Sequence, residues 1–188
     1  MDVLGSVRFL VATSITFLIT VVVLGGGGYL ASQLMVPPMR DVFRTAAFEF
    51  DLAPGWWCEL DGSEYVCSPP GKPPYEAIAV LAMKERNDQD NLKAYEDHLK
   101  QPQPIDNGAG REKKFSEVRE IRRSVIGAHE WVEALHSGSE IPNYDTYYFA
   151  TITSELGILV TLSVNRNFSR QYADRFKEMI KTLHVYQR

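Results

Sequence analysis

No charged residue interrupts the chain between Phe9 and Met39, and that stretch limits what the chain can become more than any other feature. A bilayer's hydrocarbon core takes about 20 mostly apolar helical residues to cross. Phe9 to Met35 supplies 27. The sequence therefore predicts a transmembrane helix over residues 9–35, preceded by a short N-terminus of residues 1–8. The rival reading is a cleavable signal peptide, whose apolar core runs to roughly 7–15 residues and ends at a small-residue cleavage site. Here 16 apolar or hydroxyl residues precede Gly25, and cleavage after Ala31 would put bulky Tyr29 where a small residue belongs. The uncleaved anchor fits better. Its flanking charges hardly orient it, since Arg8 and the terminal amine on one side are balanced by Arg40 and Arg44 on the other.

The two cysteines give a firmer direction. They lie in Trp57-Cys58-Glu59-Leu60-Asp61-Gly62-Ser63-Glu64-Tyr65-Val66-Cys67. If Gly62-Ser63 is a two-residue loop of type II′, with the glycine supplying the positive φ, then Cys58 faces Cys67. Counting outward makes them a non-hydrogen-bonded pair, whose Cα atoms approach to about 4.5 Å, within reach of a disulfide. An Asp61-Gly62 turn of type I′ would leave the cysteines out of step, and two unpaired buried thiols are the plain alternative. Disulfides persist outside the cytosol. The pair therefore predicts a cytoplasmic N-terminus, with the following domain in the periplasm or an equivalent space.

Residues 36–47 read as a connector, because Pro37 and Pro38 cannot continue a helix. The domain, residues 48–188, is then expected close to the membrane surface. The first 44 residues carry three basic and two acidic residues, the remainder 17 and 22. A domain with that acidic excess has no basic stripe to neutralise phosphates, so nucleic acid is not an expected partner.

Within the domain, Phe48 to Leu52 alternates as a half-buried strand and Trp56 to Cys67 forms the hairpin. The run Ala77 to Met83 suits a strand covered on both faces. Asp88 to Lys100 predicts a helix with Leu92, Tyr95 and Leu99 on one side and Asp88 or Asp90 as N-cap. Gln101 to Lys114 reads as a mobile loop. Strands follow at about 115–126, 129–135, 147–153 and 158–164, then a helix from Ser169 with a stripe of Tyr172, Phe176, Met179, Ile180 and Leu183. The order of strands, helix, strands and helix predicts an α+β fold, an α/β/α sandwich on a mostly antiparallel sheet.

Phe50-Asp51-Leu52 followed by Pro54-Gly55-Trp56, together with Glu155 to Leu162 and a closing helix bearing Tyr172, Phe176 and Ile180, resembles the PsbP-like superfamily. That group includes the photosystem II lumenal accessory protein, a Ran-binding nuclear transport factor, and many bacterial lipoproteins and secreted domains. The resemblance spans roughly residues 48–185 and implies an α/β/α sandwich with a non-catalytic binding or assembly role. It transfers no particular site. The anchor and the cysteine pair depart from the usual pattern.

Motifs for chemistry are missing from the sequence. His129-Glu130-Trp131-Val132-Glu133 lacks the second histidine of a zinc protease and alternates as a strand. Histidines 129 and 136 should point to opposite faces. Asp88-Gln89-Asp90-Asn91 begins like a calcium loop, but Leu92 occupies a ligand position. No Gly-x-Ser-x-Gly or glycine-rich phosphate loop is present. Asn167-Phe168-Ser169 matches a glycosylation sequon, and Ser169 as a helix N-cap is the simpler reading. No catalytic residue, metal ligand or cofactor is expected. Trp56 and Trp57 must face opposite ways, so one belongs to the core and the other is a candidate partner contact, as are Tyr147 and Tyr148.

In the predicted membrane helix, Thr13, Thr16, Thr20, Gly27 and Ala31 fall on one narrow sector at 100° per residue. Small and hydroxyl residues on one stripe let another helix approach closely; a plain tether is the alternative. The sequence thus predicts a single-pass accessory subunit of the cytoplasmic membrane, partnered by a larger integral membrane complex. A tethered module for a small ligand, metal or envelope polymer is the second expectation.

Overall fold

The structure is a computed structural model that describes residues 41–105 and 114–186. The predicted membrane helix, with Thr13, Thr16, Thr20, Gly27 and Ala31, lies outside the described residues.

A seven-stranded, wholly antiparallel sheet forms the centre. Its strands are β3 (Trp57–Asp61), β4 (Glu64–Ser68), β5 (Ala77–Glu85), β8 (Glu117–Ile126), β9 (His129–Ser137), β10 (Tyr144–Ile152) and β11 (Leu156–Asn165), in the spatial order β3-β4-β5-β11-β10-β9-β8. A three-stranded sheet of β1 (Val42–Arg44), β2 (Phe48–Asp51) and β12 (His184–Val185) packs beside it, and β6 (Pro104–Ile105) with β7 (Lys114–Phe115) makes a small ribbon. Helix α1 is Leu92–Leu99 and helix α2 is Ser169–Ile180.

Ile158, Val160, Leu162 and Val164 alternate along β11, and all four are buried on one sheet face. Tyr172, Phe176, Met179, Ile180 and Leu183 of the α2 stripe pack against them, and Phe48 and Phe50 of the small sheet complete this cluster. A residue's neighbours in a strand point the other way, and on the opposite face Val132, Ala134 and Ala150 are sealed by Leu99, with Leu92 and Tyr95 alongside. The two helices therefore cover opposite faces, which is the mostly antiparallel α+β arrangement the sequence predicts.

Several boundaries differ from expectation. Strand β1 lies inside residues 36–47, read above as connector, because Phe43 finds a seat against Phe48, Phe50 and Tyr65 at ring distances of 6.2, 5.5 and 5.3 Å. Asn91, not Asp88 or Asp90, caps α1, its Oδ1 accepting from the Ala94 amide at 2.9 Å. Asp90 instead accepts from Lys84 at 2.5 Å and the Asn87 amide at 2.9 Å. Ser169 is not a cap either; its hydroxyl meets the Tyr147 hydroxyl at 2.8 Å, and a short 3-10 turn, Arg166–Phe168, precedes α2. The stretch read as a mobile loop has paired ends, Pro104 with Phe115 and Ile105 with Lys114. Finally, β5 is covered on one face only. Ala77, Ala79 and Leu81 are buried, while Ile78, Val80 and Ala82 are half-buried.

Candidate interaction surface

The β3–β4 hairpin follows the predicted register. Asp61 pairs with Glu64, Leu60 with Tyr65 and Cys58 with Cys67. Gly62 has φ +63°, and Ser63 is not among the positive-φ residues, the combination a type II′ turn requires. The Cys58 and Cys67 Cα atoms stand 4.0 Å apart and the sulfurs are bonded. This staple fixes the sheet edge on which the surface is built.

The strand registers define rows of side chains running across the α1 side of the sheet. One row reads Glu59, Val66, Val80, Thr161, Tyr148, Ala134 and Ile121. Beside it, Trp57 pairs with Ser68, and Ile78, Ser163, Thr146 and His136 form a parallel row. Seven strands spaced about 4.8 Å apart make a face roughly 29 Å wide, whereas a helix with its side chains is about 10 Å across. Helix α1 packs on β8, β9 and β10 and reaches β11 through Leu159. Under it, Val132, Ala134 and Ala150 are at most 3 % exposed. Among the described residues no helix covers the β3–β5 half, and Val66, Ile78, Val80 and Ala82 remain half-buried there. Trp57, 39 % exposed, stands at one end against the Tyr75 ring at 6.5 Å. The exposed carboxylates Glu59, Asp61 and Glu64 line the hairpin edge.

Of the four aromatics predicted as partner contacts, only Trp57 is exposed. Trp56 is core, 3 % exposed, against Tyr172 and Phe176 at 6.1 and 6.2 Å. Tyr147 packs on the α2 side and Tyr148 on the α1 side, the latter against His136 at 4.9 Å.

Two buried polar groups had no clear sequence signal. Glu133 on β9 accepts from Lys177 of α2 at 2.6 Å, from Arg122 of β8 at 3.2 Å, and from the Ser124 hydroxyl. Burial alone would raise its pKa, but these three donors outweigh it and hold the carboxyl below the ordinary range. His136 is fully buried, with Nε2 2.9 Å from the Leu99 carbonyl and Nδ1 2.8 Å from the Ser116 hydroxyl. Burial keeps its pKa below the usual histidine value. Near the start of β5, Tyr172 donates to Glu76, and burial together with that bond pushes the phenol up to about 12. All three arrangements tie elements together. Among the described residues no group of three or more His, Cys, Asp or Glu side chains is placed to hold a metal ion, and no helix is long and apolar enough to cross a membrane.

This architecture is the PsbP-like fold. The solution structure of cyanobacterial PsbP (CyanoP) from Synechocystis superposes with a TM-score of 0.51 at 11% identity, covering 81% of this chain and 95% of that one. A crystal structure of a Bacteroides thetaiotaomicron protein matches with a TM-score of 0.59 at 14% identity, covering 79% of this chain. The present chain spans about half of that structure, 49% of its length. The Ran-binding protein Mog1p of Saccharomyces cerevisiae gives a TM-score of 0.46 at 12% identity over 78% of this chain and 95% of its own. No protein-family profile matches the chain, and no curated protein does.

Proposed function

We propose that the chain is a non-catalytic accessory subunit. Its single membrane helix packs within a larger integral membrane assembly, and its PsbP-like domain braces that assembly outside the cytoplasm. The observation that carries this reading is the junction between the two parts. Strand β1 begins at Val42, seven residues beyond Met35, where the expected membrane helix ends. So short a connection keeps the domain within reach of whatever the helix contacts, at no more than about 3.5 Å per residue of extended chain. The small-residue stripe of Thr13, Thr16, Thr20, Gly27 and Ala31 supplies a packing face. The Cys58–Cys67 disulfide supports an oxidising compartment, as in the periplasm. The titratable groups with buried partners serve to join structural elements, which supports a role other than catalysis.

Gentle detergent extraction of the full chain, followed by native electrophoresis and mass spectrometry, tests the proposal. Co-migration with a large membrane complex at fixed stoichiometry is expected, and G27L/A31L should release the chain from it. A wild-type chain that runs alone or only as a homodimer overturns the reading.

A further inference from the structure

The uncovered half of the α1-side sheet face deepens that reading and rests on it. We propose that this half, from Trp57 to the tip of the β3–β4 hairpin, seats a basic amphipathic helix supplied by the partner assembly. One sheet face here is treated in two ways. Where α1 lies on it, Val132, Ala134 and Ala150 are sealed to 3 % exposure or less. Across β4 and β5, side chains in the same rows, Val66, Val80 and Ala82, remain half-buried. The strip that no described helix covers spans about two to three strand spacings, roughly 10–14 Å, which matches the width of one helix.

Side-chain direction selects a helix over an added strand. Val66, Ile78 and Val80 point out of the sheet plane. A strand joining the free edge of β3 would bond to backbone and leave them uncovered. A helix laid across the face covers them as Leu92, Tyr95 and Leu99 of α1 cover the other half. Trp57, with Tyr75 behind it, offers the rigid aromatic anchor that interface centres favour.

Charge selects the partner's chemistry. The hairpin Trp57–Ser68 carries Glu59, Asp61 and Glu64 and no basic residue. None of the three has an ion-pair partner among the described residues. Lys84, farther along the same face, is already held by Asp90. An acidic rim beside an apolar strip suits a helix with Lys or Arg flanking its apolar stripe. It repels anionic lipid headgroups, and in a symmetric pair of this chain it would face its own copy.

The test places a photoreactive benzophenone amino acid at Trp57 or at Glu59 of the full chain in its native membrane, with exposed Glu178 of α2 as the control position. Cross-linked peptides are identified by mass spectrometry, and native-gel migration of the same samples reports assembly. The expected product joins Trp57 and Glu59, but not Glu178, to a partner segment whose apolar residues recur at helical spacing beside Lys or Arg. The yield from the Trp57 position should fall about tenfold in E59K/D61K/E64K, whose three sites are exposed and whose melting temperature should match wild type. Cross-links to lipid, to a second copy, to other residues of this chain or to an acidic segment overturn the proposal, as does a yield indifferent to the charge reversal. In those cases a wild-type chain that still co-migrates with the assembly leaves the accessory role standing. A wild-type chain that runs alone removes both.

Discussion

His136 Nε2 donates to the Leu99 carbonyl across 2.9 Å, tying the last turn of α1 to strand β9. A carbonyl only accepts, so this bond fixes the proton on Nε2 and leaves Nδ1 to accept from the Ser116 hydroxyl at 2.8 Å. The Ser116 oxygen in turn accepts from the Gln103 amide at 2.9 Å. The ring is thus held neutral, joining helix, β6–β7 ribbon and sheet. Burial lowers its pKa, so the unfolded chain takes up a proton more readily than the folded one as the pH falls. Stability from this group is complete above the ordinary histidine value of about 6.5 and declines from there toward the lower folded value. His136→Ala should cost about 2–4 kcal/mol, from the cavity and the stranded Leu99 and Ser116 groups. The variant should also show a flatter stability curve between pH 7 and 5. Denaturant melts of both proteins across that range check this, and parallel curves would show that His136 does not titrate with folding.

The Glu133 cluster has the same sign in a more acidic window. Lys177, Ser124 and Arg122 hold its carboxyl below the usual range despite burial, so its stabilising effect is present above the unfolded value of about 4.3. That effect is lost as pH falls through the lower folded value. Glu133→Gln should therefore destabilise most at neutral pH, with the gap from wild type closing in acid. Lys177→Met should cost about 1–3 kcal/mol by stripping one donor from a buried carboxylate. Urea titrations at pH 7 and 3.5 separate the two effects.

Gly62 and Gly127 occupy equivalent positions in two tight hairpins, with φ +63° and +62°, but their surroundings differ. A Cβ on Gly62 would meet nothing within 4 Å, whereas one on Gly127 would fall 2.1 Å from the Lys181 carbonyl oxygen at the end of α2. Gly62→Ala should cost about 1–2 kcal/mol of backbone strain. Gly127→Ala adds the displacement of α2 from the sheet and should lose several kcal/mol more, or fail to fold. Thermal melts of the two variants rank them, and equal losses would mean that the α2 contact gives way cheaply.

These contrasts show which parts of the fold were legible in the chain. The hairpin register and the Cys58–Cys67 pairing depend on one glycine and on counting, both local. The α2 stripe is also local, and its five members pack as spaced. Partnerships across long sequence separations were not legible. Glu133 meets Lys177, and Leu99 meets His136, only once the sheet has ordered its strands. The open face was hidden for a different reason. An apolar run such as Ala77 to Met83 reads alike whether its second face is sealed by a helix or left half-exposed, and the short length of α1 decides that outcome. The Asn91 cap was missed because three neighbouring Asx residues compete for one role, and Lys84 draws Asp90 away.

The disulfide permits a prediction that joins stability to compartment. Cys58 and Cys67 are nine residues apart, across a tight hairpin at a sheet edge. Closing a loop that short restricts the unfolded chain by about 2–3 kcal/mol in the loop-entropy picture. Cys58→Ser/Cys67→Ser should lower stability by that amount without altering the packing of Tyr65 of β4 beside Leu81 of β5 on the core side. A reductant should lower the melting temperature of wild type toward that of the double variant and leave the variant itself unmoved. The β3–β4 hairpin should then be the first element to exchange its amides in reducing solution, since among the described residues β3 is paired on one side only. Melting curves with and without reductant, followed by hydrogen exchange read at residues 57–68, provide the check. A wild-type protein insensitive to reductant would show that β4–β5 pairing alone holds the edge.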